Sequence, residues 1–242
     1  MEKEDLTKEQ LRTLQNCDES GLRTPPPRLE LLTSSMTPHI QRTNRNKNWR
    51  VRTALNFKGI EYDTRPVNLK KGEHNTPEYE NLNPLKLVPT LIIDGQALTQ
   101  SVAILEYLEE TRPEPALLPK NPIDRAKVRA IVQSIASDIQ PIQNLRVVKH
   151  SKQDDWGNYW ITSGFRAIEK HLKETSGDYC FGDSITLADV FLVPQVYNAN
   201  RYQVDLTEFP IIQKINARLN ELQAFRDAHP SNQIDCPLIP GV

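Results

Sequence analysis

The chain has 242 residues, 38% of them hydrophobic, with a net charge of -1 and a mean hydropathy of -0.57. That length buries a substantial core as one large or two modest domains, and the near-neutral charge offers no general argument for a nucleic-acid or membrane partner. No apolar run approaches the roughly 18 residues of a membrane span, the start Met1-Glu2-Lys3-Glu4-Asp5 lacks the basic-then-apolar order of a secretory signal, and Cys17, Cys180 and Cys236 are widely spaced without metal-ligand spacing.

An odd cysteine count without a signal fits reduced thiols, so the expected compartment is the cytoplasm. Residues 1–27, with Pro25-Pro26-Pro27, are expected to form a disordered polar extension. Leu29 to Leu32 could make a short strand. Trp49 to Lys58 is a helix stopped by Gly59, Ile60 to Leu69 a strand candidate, and Thr76 to Leu82 a short helix. Leu91-Ile92-Ile93 is a β-prone run, Asp94-Gly95 a hairpin turn and Ala97 to Thr99 the return strand. Ser101 then caps a helix whose Val102, Leu105 and Leu108 recur at helical spacing.

Residues 28–112 thus read as a mixed α/β domain and 113–120 as a proline-rich linker. Residues 121–242 read as an all-helical domain. Asn121-Pro122 opens a long helix through Val128, Ile131, Ile135 and Ile139, which Pro141 should kink. A second helix runs from about Asp155 to Thr175 with Gly177 beyond its end. Thr186-Leu187-Ala188-Asp189 is a capping box, here a helix start rather than chemistry. Phe209 to Asp227 is one more amphipathic helix. Cys180 sits in a strand-like Tyr-Cys-Phe run and reads as buried.

Free N–H groups at a helix start favour an anion, so Gln100-Ser101 could hold a carboxylate. Pro89 opens a strand although it cannot donate to the ladder. A cis bond there would turn the N–H and C=O of Val88 outward towards a peptide-like ligand. Gln140 and Asn144 stand four residues apart, on one face of a helix. Arg42, Arg45, Lys47, Arg50 and Arg52 cluster without an acid and read as a solvated or ligand-facing edge.

Val88-Pro89-Thr90 with Gln100-Ser101 resembles the glutathione-binding core of the cytosolic glutathione transferases. Asn83-Pro84-Leu85-Lys86, Ile139 to Leu145 and Val193-Pro194-Gln195-Val196 narrow the resemblance to the zeta class, the maleylacetoacetate isomerases. The likeness runs from Trp49 to about Asp235. It implies a thioredoxin-like N-terminal domain followed by a helical C-terminal domain, glutathione as cofactor, a small-molecule substrate and a homodimer, with no nucleic acid or membrane. It also implies that Val88 pairs its backbone with the cysteinyl part of glutathione. Gln100 and Ser101 would hold the γ-glutamyl carboxylate, Gln140 and Asn144 would line the site, and Arg201 would receive a substrate carboxylate. His74 stands near a family position that touches the glycyl end, although an exposed loop histidine is the plainer reading. Arg146 replaces the family's small polar residue.

The family leads into its first helix with a strand, Ser-Ser-Cys-Ser and then Trp-Arg-Val-Arg, the first serine activating the thiol. This chain keeps Trp49-Arg50-Val51-Arg52 but precedes it with Arg45-Asn46-Lys47-Asn48. A second alignment takes Leu29 to Leu32 as the strand and Ser34-Ser35 as the serine pair, followed by an insertion. Catalytic residues are therefore left unassigned. The resemblance implies glutathione-dependent cis–trans isomerisation of maleylacetoacetate, with transferase activity. A transferase-like protein that binds without catalysing is the alternative.

Overall fold

A computed structural model describes residues 29–34 and 45–233, without the side chains of Arg45, Asn46, Leu145 and Arg146. The extension expected over 1–27 and Ser35 lie outside the described residues, and so does the side chain of Arg146. Strand β1 (Glu30–Ser34), helix α1 (Arg45–Phe57) and strand β2 (Asp63–Val67) form a parallel crossover. Helix α2 (Pro77–Leu82) follows, then the hairpin β3 (Thr90–Ile93) and β4 (Gln96–Thr99), then α3 (Ser101–Thr111). The sheet order is β2-β1-β3-β4, with β3 antiparallel to β1.

Alternation along β1 explains the two faces. Leu31 joins the large core with Trp49, Leu55, Leu91, Ile104 and Leu108, whereas Leu32 joins a smaller cluster with Val67, Tyr79 and Val88 on the other face. Helix α1 ends as expected at Gly59. Its φ of 64° lets Ile60 N–H reach back to Leu55 C=O at 2.9 Å and Gly59 N–H to Asn56 C=O at 3.1 Å.

The helical half comprises α4 (Pro122–Gln133), α5 (Leu145–Ser151), α6 (Trp156–Thr175), α7 (Leu187–Arg201), α8 (Pro210–Asn220) and α9 (Gln223–Ala228). Asn121 caps α4 by accepting from the N–H groups of Ile123 and Asp124, and the capping box starts α7. One large core runs from β1 and α1 through Ile131, Ile139 and Phe165 to Phe225. The two halves are therefore packed on shared apolar surface.

Several expectations need correction. The strand expected over Ile60 to Leu69 is confined to Asp63–Val67. Helix α1 begins at Arg45, four residues before Trp49. Pro141 does not kink a continuing helix: the chain widens into a π-turn over Ser134–Ile139 and ends there, because proline supplies no N–H to extend the ladder. Phe209 to Asp227 divides into α8 and α9, the break falling at Glu221 and Leu222. Cys180 is buried as expected, but in an irregular turn rather than a strand.

A buried ion pair secures the junction. Lys58 Nζ lies 2.6 Å from Glu109 Oε1 with both side chains almost fully enclosed. Lys58 also donates to the carbonyls of Arg112 and Pro115, and Glu109 accepts from Leu117 N–H. The end of α1, α3 and the following proline-rich stretch are thereby joined at one point.

Candidate functional site

The peptide bond between Val88 and Pro89 is cis. The β1–β3 ladder stops at Leu32 and Thr90, so Val88 lies beyond the last pair, and its backbone forms no hydrogen bond to another described backbone group. The segment is pinned from below instead. Tyr79 Oη and Asn83 Nδ2 each donate to Leu87 C=O at 2.6 Å, and Asn83 Nδ2 donates to Thr90 Oγ1 at 3.2 Å. These bonds hold the chain on either side of Val88 and leave its own polar groups available.

Across from it, α3 begins without a side-chain cap. Ser101 was expected to be the cap; it is the first helical residue, and the cap position belongs to Gln100. Gln100 C=O accepts from Ile104 N–H at 3.0 Å, so the N–H groups of Ser101, Val102 and Ala103 have no acceptor within the helix. Gln100 has φ 67° and ψ 116°, a region that a non-glycine residue occupies only when its surroundings enforce it. Val88, Pro89, Gln100 and Ser101 line one concavity with Lys47, Asn83, Leu85 and Leu87. The first N–H of a helix, without an acceptor in that helix, the helix's positive end and a lysine lie together there, a combination that suits a carboxylate.

The start of α1 carries no serine, yet a hydroxyl stands beside it. Ser34, the last residue of β1, is 7% exposed and accepts a hydrogen bond from Asn48 Nδ2 at 3.1 Å. The strand that the second alignment takes over Leu29 to Leu32 is present as β1 (Glu30–Ser34), and its last residue, Ser34, meets Asn48 of α1.

On the helical side, Gln140 and Asn144 do not share a helix face. They bracket the turn between the π-turn and α5. Gln140 is 8% exposed, and its Oε1 accepts from Arg50 Nη1 at 2.8 Å. Asn144 C=O accepts from Val147 and Val148 N–H, starting α5. Trp156 Nε1 donates to Ile142 C=O at 3.0 Å and Tyr202 Oη to Gln143 C=O at 2.9 Å, so α6 and the end of α7 hold this turn. Gln143 and Gln195 exchange reciprocal amide hydrogen bonds at 2.9 and 3.1 Å. Arg201 occupies the last turn of α7, half-buried, with Nη1 3.4 Å from Asn198 Oδ1. Its neighbour Tyr202 makes the link to the Gln143 turn. His74 lies in a 3-10 turn over Glu73–Asn75, half-buried rather than exposed, with Nδ1 enclosed and unpartnered among the described residues.

Arg50 and Arg52, read from the sequence as part of a solvated or ligand-facing basic edge, are instead buried at 1% and 3% exposure, because helix α1 packs this side of the cluster into the fold. The Arg50 side chain is enclosed, with Cζ 4.0 Å from the Phe191 ring centroid, and among the described residues Nε and Nη2 have no acceptor. Burial lowers its pKa to about 9, still protonated at neutral pH. Its helical position one turn from Ala54, which is itself fully buried, is the one signal in the sequence that points to the buried side.

A thioredoxin-like sheet with a cis-proline cradle, packed on an all-helical half, defines a protein of the glutathione transferase class. Profiles described as glutathione S-transferase N-terminal and C-terminal domains match residues 43–110 and 161–230. Probable maleylacetoacetate isomerase 2 of Drosophila melanogaster is 54% identical over 194 residues, 78% of this chain and 86% of its own. Maleylacetoacetate isomerase of Mus musculus is 53% identical over 194 residues, 78% and 90% respectively. The chain belongs to the maleylacetoacetate isomerase family, the zeta class of glutathione transferases.

Solved structures agree. The holo form of a bacterial zeta-class maleyl pyruvate isomerase aligns with a TM-score of 0.78 at 40% identity, over 86% of this chain and all of that one. Maleylacetoacetate isomerase from Anaeromyxobacter dehalogenans 2CP-1, with glutathione bound in the active site, gives a TM-score of 0.75 at 36% identity, over 87% and 98%. Among the described residues, no helix is long and apolar enough to cross a membrane and no cluster of His, Cys, Asp or Glu could hold a metal ion.

Proposed function

We propose that the chain is a glutathione-dependent maleylacetoacetate isomerase with transferase activity, acting in phenylalanine and tyrosine breakdown as a cytoplasmic homodimer. The observation that carries this reading is the uncapped start of α3 facing the Val88 backbone in one concavity. The residues fit a tripeptide of this kind: a carboxylate satisfies the N–H groups at Gln100-Ser101, and the backbone of Val88 pairs with a peptide unit. Gln140 and Asn144 approach from the helical half, and Arg201 receives a substrate carboxylate. Residues 28–112 and 121–242 act as the two units, joined by 113–120.

Bound glutathione supplies a thiol whose addition and elimination allow a cis double bond to rotate to trans. The chain's share is to orient both ligands and to favour thiolate over thiol. At 45–48 no hydroxyl or thiol serves that second task, while Ser34 and Lys47 stand at the start of α1. Glutathione-dependent isomerisation is measured for the wild type and for Arg45→Ser/Asn46→Ser/Lys47→Cys/Asn48→Ser. Substantial, similar rates in both support the enzyme. Activity only after the replacement favours the second reading, a glutathione-binding protein without catalysis, which the sequence at 45–48 motivates.

A further inference from the structure

We propose that Arg50 is a positioning residue that sets the polarity of Gln140, so that this amide presents only donors to its ligand. The inference rests on the reading of Gln140 as a glutathione contact. A guanidinium has five N–H donors and no acceptor, so the atom of Gln140 facing Nη1 must be the carbonyl Oε1. An amide whose oxygen is committed in this way turns its NH2 to the other side. That nitrogen is not among the enclosed, unpartnered atoms, whereas Nε and Nη2 of Arg50 are. Gln140 therefore shows a ligand two N–H groups and matches a carboxylate or carbonyl oxygen, not a donor.

The cation is itself held without a carboxylate. Phe191 lies over its face, Gln140 accepts from Nη1, and the residue is almost wholly enclosed. A side chain of this charge is almost never fully buried without an anionic partner. An acid facing it would neutralise the guanidinium but could not donate to a ligand. The neutral amide accepts from Arg50 and donates onward.

Gln140→Glu separates the two demands. The carboxylate pairs with Arg50, so folding is kept and Tm does not fall, while glutathione affinity measured by calorimetry drops at least about tenfold, the scale of a lost hydrogen bond to a charged group. Arg50→Met, which frees the amide to turn, lowers affinity similarly. Arg50→Lys, which still donates to Oε1, recovers part of that loss. A folded Gln140→Glu protein with the wild-type Kd overturns the inference, as does an Arg50→Lys variant that binds no better than Arg50→Met. Wild-type protein that fails to bind glutathione overturns the underlying reading and the inference with it.

Discussion

Replacing Lys58 with Met tests the junction between the two halves. The ammonium sits 2.6 Å from Glu109 with its side chain fully enclosed, and it also serves the carbonyls of Arg112 and Pro115 at 2.9 Å each. Methionine fills similar volume but donates nothing, so a buried carboxylate loses its only cationic partner among the described residues and two part-buried carbonyls lose a donor. Breaking a buried pair from one side costs about 3–5 kcal/mol. For a chain of this size each kcal/mol moves Tm by about 2–4 °C, giving a fall of roughly 6–20 °C. Removing the acid as well, in Lys58→Met/Glu109→Leu, recovers only part of the loss, because the carbonyls stay without that donor and Leu117 N–H now loses its acceptor. Thermal melts followed by circular dichroism read both variants. A single-variant fall under about 2 °C, the behaviour of an exposed pair, would refute the reasoning.

Ser101→Ala leaves the backbone donors of α3 in place and removes one hydroxyl, so glutathione affinity should fall about five- to tenfold with Tm unchanged, as isothermal calorimetry can measure. Asp189→Ala should lower stability by about 2–4 kcal/mol in urea denaturation, because the carboxylate accepts from Cys180 N–H, Thr186 N–H and Thr186 Oγ1 inside the core. Burial pushes the Cys180 thiol well above its ordinary value, so little thiolate forms at mildly alkaline pH. Iodoacetamide at pH 8 followed by peptide mapping should leave Cys180 unmodified in native protein and label it after unfolding; native labelling would contradict its enclosure.

Much of the architecture was legible because it is written locally. Asn121-Pro122, Thr186 to Asp189 and Asp94-Gly95 each specify a cap or turn through side chains a few residues apart, and all three occur where the sequence puts them. The errors also have local causes. Gln100 and Ser101 are both polar at a helix start, and composition does not tell which of them takes the cap position; the hairpin geometry does, by placing Gln100 at positive φ. Gln140 and Asn144 have helical spacing, but Pro141 between them ends the ladder and sends them to opposite ends of a turn.

By itself the sequence determined the division into an α/β half and a helical half, the hairpin and helix start that flank Val88 and Gln100-Ser101, and the lack of any hydroxyl or thiol at 45–48, since each rests on short-range pattern or residue identity. Only the tertiary structure decided that Ser34 meets Asn48 across the start of α1, that Lys47 lines the cradle, and that Arg50 reaches Gln140, 90 positions away. A buried charge finds its partner through the packing of two halves on one core, and no spacing along the chain encodes that meeting.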